Sequence, residues 1–167
     1  MVSYHKGDLL KSDCNVICHQ VNLQGVMGGG IAKQISEKYP DCEKAYNDYS
    51  KNYGDQNTRS TVYMCKVGEK KWIANCYSQS LFYDTVYDWV KKCFNSVKDF
   101  AEQNNYSVGL PYKYGCGIAH GDWNIVSNII EEVFGNSKID CQVWEYKKGW
   151  KSIGVPKSHL KILHLFL

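Results

Sequence analysis

The stretch Asn15–Pro40, NVICHQVNLQGVMGGGIAKQISEKYP, restricts this chain more than any other. Val16 to Val21 is apolar and rich in β-branched residues, the pattern of a buried strand. It runs into a polar turn, Asn22-Leu23-Gln24-Gly25, and then into Gly28-Gly29-Gly30. Ile31, Ala32, Ile35 and Tyr39 follow at helical spacing. A strand, a glycine turn and a helix in succession bring bare backbone N–H groups to a phosphate, and the helix N-terminus adds partial positive charge. Glycines let the backbone approach a ligand closely and take positive φ where a turn needs it. Two readings stand: a phosphate cradle, or a merely tight glycine turn. The stretch is neither the dinucleotide fingerprint nor the Walker loop. It has no Gly-x-Gly-x-x-Gly repeat followed by an acidic residue, and no Gly-Lys-Ser/Thr.

A second glycine loop lies downstream, Pro111-Tyr112-Lys113-Tyr114-Gly115-Cys116-Gly117-Ile118-Ala119-His120-Gly121-Asp122. It follows a strand expected over Tyr106–Leu110 and leads into a helix over Trp123–Phe134, with Asp122 placed to cap it. The remaining elements alternate. A short strand covers Val2–His5, Pro40-Asp41 separates two helices, and the second of these covers Cys42 to about Tyr53. Gly54 to Ser60 reads as a polar loop. Thr61–Lys66 and Lys71–Cys76 pair as a hairpin, followed by a hydroxyl- and aromatic-rich loop, Tyr77–Tyr83. A long amphipathic helix runs from about Asp84 to Gln103, and a last strand covers Ile139–Tyr146. This order predicts a three-layer α/β/α sandwich around a mixed, mostly parallel sheet. Both glycine loops then fall at carboxyl ends of strands, the edge where such sheets bind ligands. Their convergence favours the phosphate reading.

Composition sets outer bounds. A length of 167 residues, 44% of them hydrophobic, suits one domain with a sizeable core. A net charge of +3 with no dense basic run does not indicate nucleic acid as a partner. No apolar run reaches the roughly 20 residues of a membrane helix. The eight cysteines are scattered and no apolar leader precedes them, so reduced thiols in a cytoplasmic protein are expected. Paired zinc ligands are missing, and Cys18 and His19 are consecutive on a strand and point to opposite faces; no metal and no cofactor are expected.

The motifs match a known family. His19-Gln-Val-Asn22-Leu-Gln-Gly25-Val-Met27-Gly28-Gly29-Gly30-Ile31-Ala32 resembles the signature loop of macro domains. Lys6-Gly-Asp8-Leu9 resembles their opening turn, and Leu110-Pro111-Tyr-Lys-Tyr114-Gly115-Cys116-Gly117-Ile118 their second phosphate loop. The resemblance runs over about residues 2–146, so residues 1–146 are expected to form a macro domain and 147–167 a C-terminal extension of unassigned role. The nearest branch resembles ADP-ribose-1″-phosphate phosphatases and glutamate-ADP-ribose hydrolases. That resemblance implies a pocket for ADP-ribose or an ADP-ribosylated substrate. Asp8 would accept from the adenine amino group, with Leu9 beside it. Gly28, Gly29, Gly30 and Ile31 would wrap the distal ribose and one phosphate, with Gly25 and Met27 in the same loop. Gly115, Cys116, Gly117, Ile118 and Ala119 would cradle the diphosphate, with Pro111 and Tyr114 leading into it. Asn22 would touch the distal ribose, and Ser78 and Gln79 would flank it. The hydrolase branch carries a lysine where this chain reads Tyr77-Ser78-Gln79, and an aspartate where it has Ala119.

Hydrolysis at the distal ribose needs an oriented water and a proton carrier. His19, with a reference pKa of about 6.5, matches a histidine of the phosphatase branch; its other reading is a core histidine held by hydrogen bonds. Asn22 would hold the ribose or water, and Asp122 is either a base or a helix cap. The function expected is ADP-ribose binding with hydrolysis of an ADP-ribose derivative; the alternative is a non-catalytic ADP-ribose reader or a sensor of a similar signal molecule. The apolar ending His159–Leu167 is expected to pack on this domain or on a second copy.

Overall fold

The computed structural model describes residues 1–80 and 84–146. The expected packing of His159–Leu167, and the last part of the 77–83 loop, lie outside the described residues. The strands are β1 (Val2–Lys6), β2 (Val16–Val21), β3 (Val62–Gly68), β4 (Lys71–Tyr77), β5 (Val108–Pro111) and β6 (Cys141–Glu145). The helices are α1 (Gly30–Lys38), α2 (Pro40–Thr58), α3 (Tyr87–Asn104) and α4 (Trp123–Phe134), with a 3-10 turn at Leu9–Lys11. The sheet order is β1-β6-β5-β2-β4-β3, with β3 antiparallel to β4 and every other pair parallel. This is the mixed, mostly parallel sheet expected from the alternation of elements.

The central strands are apolar on both sides because both sides are covered. On one face Val16, Cys18, Ala74 and Cys76 pack with α3 and α4 residues such as Val90, Phe94, Val97 and Ile130. On the other, Ile17, Val21, Ile73 and Tyr77 pack with Ile35 of α1 and Cys42 and Tyr46 of α2. Phe94 meets Tyr114 edge-on at 4.9 Å and Phe134 at 5.9 Å. Truncating such a ring costs about 3–5 kcal/mol.

Pro40 starts α2 at its first turn, where its missing N–H has no cost. The expected helix end near Tyr53 was too early. Gly54 takes φ 69, which only glycine adopts readily, and the helix resumes beyond it to Thr58. Elsewhere the ends shifted by one to three residues in either direction: α3 begins at Tyr87 and β5 at Val108, later than expected, while β3 runs on to Gly68 and β4 to Tyr77.

The topology fixes where a site can form. From β2 the chain leaves through α1 and α2 toward β4 and β3; from β5 it leaves through α4 toward β6. The neighbours β2 and β5 therefore send their connections to opposite faces. This is the switch point of a doubly wound sheet, where a crevice opens beyond the strand ends. Both glycine loops sit there.

Candidate functional site

The first loop is held from within by Asn22. Its side-chain oxygen accepts from the backbone N–H groups of Gln24 at 3.0 Å and Val26 at 3.3 Å, and its amide donates to the Val26 carbonyl at 2.9 Å. Tyr46 donates its buried hydroxyl to the Asn22 carbonyl at 2.7 Å. Burial pushes that phenol well above its ordinary pKa, so it stays a donor. Gly25 sits at φ 75, and a Cβ there would meet the Asn47 side-chain oxygen at 2.8 Å. Gly29 then caps α1 in an extended conformation with no side-chain cap. The first N–H groups of α1 have no acceptor inside the helix, and no acidic side chain occupies its first turn.

The second loop is tied to the first through Gln20. The Gln20 amide nitrogen lies 3.2 Å from the Ser78 carbonyl and 3.2 Å from Thr85 Oγ1. Thr85 donates in turn to the Gly115 carbonyl at 2.6 Å, and its backbone N–H donates to the Ala119 carbonyl at 3.0 Å. Gly115 has φ 70, and a Cβ there would come within 3.0 Å of both Gln20 Nε2 and Thr85 Oγ1. The buried Tyr114 hydroxyl meets Ser78 Oγ at 2.9 Å below the loop.

Between the loops lies a cleft of about 110 Å³ lined by Gly29, Gly30, Ile31 and Ala32 on one wall and Pro111 to Gly115, Gly117, Ile118 and Ala119 on the other, with Gln20 and Gln79 between. Ile31 and Pro111 also line a small adjoining recess with Asp8, Leu9, Gln34, Trp144 and Tyr146. One crevice thus runs from an acidic end to a glycine-walled end. Asp8 is 7% exposed, and its Oδ1 accepts from the Leu10 N–H at 3.0 Å. Trp144 is backed by the His5 ring at 4.9 Å in a near-parallel stack. A wider depression of about 690 Å³ lies at the opposite edge of the sheet, lined by Asn15, Ser107 and Asp140 among others. Neither glycine loop reaches it, so size does not mark the site here.

Most of the residues expected at the site gather at this crevice: Asp8, Leu9, Gly29, Gly30, Ile31, Gln79, Pro111, Tyr114, Gly115, Gly117, Ile118 and Ala119. Others stand behind it. Asn22 shapes its loop, Ser78 is buried under Tyr114, Met27 is 3% exposed in the α1–α2 core, and Gly25 and Gly28 belong to the turn before α1. Cys116 turns its thiol to the Tyr114 carbonyl at 3.3 Å, and burial pushes its pKa up to about 11. That makes it a poor nucleophile.

The placement of two expected catalytic groups corrects the sequence reading. His19 is fully buried and is not among the cleft-lining residues. Its Nε2 lies 2.7 Å from Asn75 Oδ1. The Asn75 amide nitrogen donates to the Tyr63 carbonyl at 3.1 Å, so its oxygen is the acceptor and His19 Nε2 the donor. Nδ1 is then left buried without a partner. Burial lowers the imidazole pKa, the Asn75 bond opposing it, so the ring stays neutral in the core. On β2, with period 2, His19 shares a face with Ile17 and Val21, under the α1–α2 layer. Asp122 is the N-cap of α4, accepting from the Asn124 N–H at 2.8 Å, and is exposed. Sequence reasoning missed Gln20, Thr85, Lys113 and Trp144. Gln20 is one residue from His19 on the opposite face of the strand, so alternation was the available signal.

No protein-family model matches the chain. The ADP-ribose 1″-phosphate phosphatase of Saccharomyces cerevisiae is 26% identical over 166 residues, covering 81% of this chain and 94% of that protein. The DNA ADP-ribosyl glycohydrolase of Mycobacterium tuberculosis is 46% identical over 46 residues, a match that spans 28% of this chain and 13% of that protein. Among solved structures, the macrodomain of Mycobacterium tuberculosis DarG superposes with a TM-score of 0.77 at 25% identity, covering 86% of this chain and 97% of that one. Sheet order, paired glycine loops and near full-length likeness agree, and the chain belongs to the macrodomain family.

Proposed function

We propose that this macrodomain binds ADP-ribose along the crevice and hydrolyses an ADP-ribose derivative, either ADP-ribose 1″-phosphate or an ADP-ribosylated acceptor. One observation carries this: two glycine loops, one ending in the bare N-terminus of α1, face each other in a crevice that has Asp8 at its other end. Asp8 suits the amino edge of adenine, which donates. The glycine walls suit a diphosphate, which accepts. The yeast phosphatase and the mycobacterial glycohydrolase, named for hydrolysis of such compounds, support the hydrolytic part. The cleft wall would contribute orientation and neutral donors around the reacting phosphate or ribose. The proton would be carried by water or by the substrate's own phosphate, since His19 is sealed in the core. The eight free cysteines, seven of them buried, fit a reducing compartment, and we place the protein in the cytoplasm. No helix among the described residues is long and apolar enough to cross a membrane.

A second reading, a reader without turnover, is favoured by one feature. Among the described residues lining the loop cleft there is no carboxylate and no imidazole. Calorimetry with ADP-ribose and a turnover assay on ADP-ribose 1″-phosphate and on ADP-ribosylated DNA separate the two. Binding with release of phosphate or of ADP-ribose supports the hydrolase. Binding with no turnover on either substrate supports the reader. AMP binding as tightly as ADP-ribose overturns both.

A further inference from the structure

We infer that Lys113 is a binding residue for the adenosine-side phosphate of the ligand, the cation that this crevice adds to its neutral backbone donors. The inference rests on the ADP-ribose reading above. Among the described residues lining the loop cleft, Lys113 is the one charged side chain. In the adjoining recess the one charged side chain is Asp8. The crevice therefore carries opposite charges at separate positions, as a ligand with a donating base and an anionic linker requires.

The backbone explains how Lys113 comes to be there. Pro111 ends β5, and the Tyr114 N–H returns to the Pro111 carbonyl at 3.1 Å in a tight turn. Lys113 takes the left-handed region at φ 58 within that turn, a conformation in which glycine or asparagine would be usual. Its ammonium lies 5.8 Å from the centroid of the Tyr112 ring. That ring is itself braced by Trp123 at 4.8 Å, and the Tyr112 N–H donates to the Trp144 carbonyl at 2.8 Å. An aromatic face favours a cation over it and limits where the flexible lysine head goes. Lys113 thus stands on the cleft wall between Pro111, which borders the Asp8 recess, and Gly115, which begins the second glycine turn, with its ammonium beside the Tyr112 ring. Along an extended ADP-ribose that position corresponds to the phosphate next to adenosine. This phosphate is common to ADP-ribose, ADP-ribose 1″-phosphate and AMP. An interaction with it is made equally in ground and transition states, so it tightens binding without accelerating chemistry.

The test uses the full chain and the variants Lys113→Met and Lys113→Arg, with thermal melting to confirm that each is folded. Lys113→Met is expected to weaken ADP-ribose and AMP by the same factor, roughly tenfold for loss of a charge-assisted contact. It should also flatten the salt dependence of ADP-ribose affinity. Lys113→Arg is expected to restore most of the loss. Where the wild type turns over ADP-ribose 1″-phosphate, Lys113→Met should raise KM and leave kcat unchanged. Wild-type affinity and salt dependence in folded Lys113→Met overturn the inference while leaving the ADP-ribose reading intact. A loss confined to ADP-ribose, with AMP unaffected, also overturns it by moving the lysine to the distal end. If Lys113→Met does not fold, Lys113→Gln takes its place with the same expectations. Absence of ADP-ribose binding by the wild type defeats the underlying reading instead.

Discussion

The Tyr46 hydroxyl and the Asn22 carbonyl, 2.7 Å apart and both buried, join the core of the α1–α2 layer to the first glycine loop. The same hydroxyl lies 3.1 Å from Asn22 Oδ1, which in turn organises the loop's N–H groups. The loop is thereby shaped before any ligand arrives. Replacing Tyr46 by Phe leaves the packing but strips the buried carbonyl of its donor. We expect a stability loss of about 1–3 kcal/mol and several-fold weaker ADP-ribose binding, because ordering the loop would now be charged to the ligand. Urea unfolding and calorimetry measure the two effects. Normal affinity in a destabilised Tyr46→Phe would show that the loop needs no such anchor.

Gly29 and Gly115 should respond differently to substitution. Gly29 has an extended backbone that any residue adopts, so Gly29→Glu is expected to fold normally. It would place a carboxylate at the mouth of α1 and abolish ADP-ribose binding. Gly115 is at φ 70 with Gln20 and Thr85 in the way of a side chain. Gly115→Ala should therefore both lower the melting temperature and weaken binding, at a backbone cost of about 1–2 kcal/mol. Thermal melts beside titrations distinguish the cases. Tight binding by folded Gly29→Glu would remove the first loop from the phosphate site.

Asp8 has two roles that one substitution can separate. One oxygen caps the 3-10 turn through the Leu10 N–H. Asp8→Asn retains an acceptor for that cap but exchanges a carboxylate oxygen for an amide donor. We expect near wild-type stability, with ADP-ribose weakened by about 1.5–3 kcal/mol, the range for a hydrogen bond to a charged group. Asp8→Ala should lose binding and, in addition, about 0.5–2 kcal/mol of stability from the missing cap. Equal ADP-ribose affinity for Asp8→Asn and wild type would take the adenine contact away from this residue.

His19 makes the fold sensitive to acid. Its pKa is lowered in the native state by burial, so below the unfolded value of about 6.5 the unfolded chain binds a proton that the native chain does not. Stability contributed by the neutral ring is present above that value and is lost as the pH falls below it toward the native pKa. Unfolding free energies between pH 7.5 and 5 should fall less steeply for His19→Gln than for wild type. A buried ring of this kind should also leave turnover, where present, with a pH profile that His19→Gln does not alter. A rate loss of about 10²–10⁴ in a folded His19→Gln is the size expected for removal of a general acid or base, and would restore the catalytic role to this histidine.

Short-range patterns in the sequence were enough to determine the elements and their order. Val16–Val21 was read residue for residue, as was the helix Trp123–Phe134 with its Asp122 cap, because apolar period and capping chemistry act over a few residues. The glycines at positions 28–30, 115 and 117 announced a pocket because few other residues let a backbone come so close. What the sequence left open was the direction of each side chain relative to the layers. His19 and Gln20 are neighbours with opposite fates: one is sealed beneath α1 and α2 beside Asn75, and the other reaches the cleft and Thr85, 65 positions away in sequence. Strand alternation says that they differ, but not which one faces the ligand. That depends on which helices cover which face, a property of contacts between distant segments. The same holds for Lys113, whose chemistry comes from a left-handed turn and the Tyr112 ring, and for Trp144, which gains its place beside Asp8 through the pairing of β6 with β1 and β5.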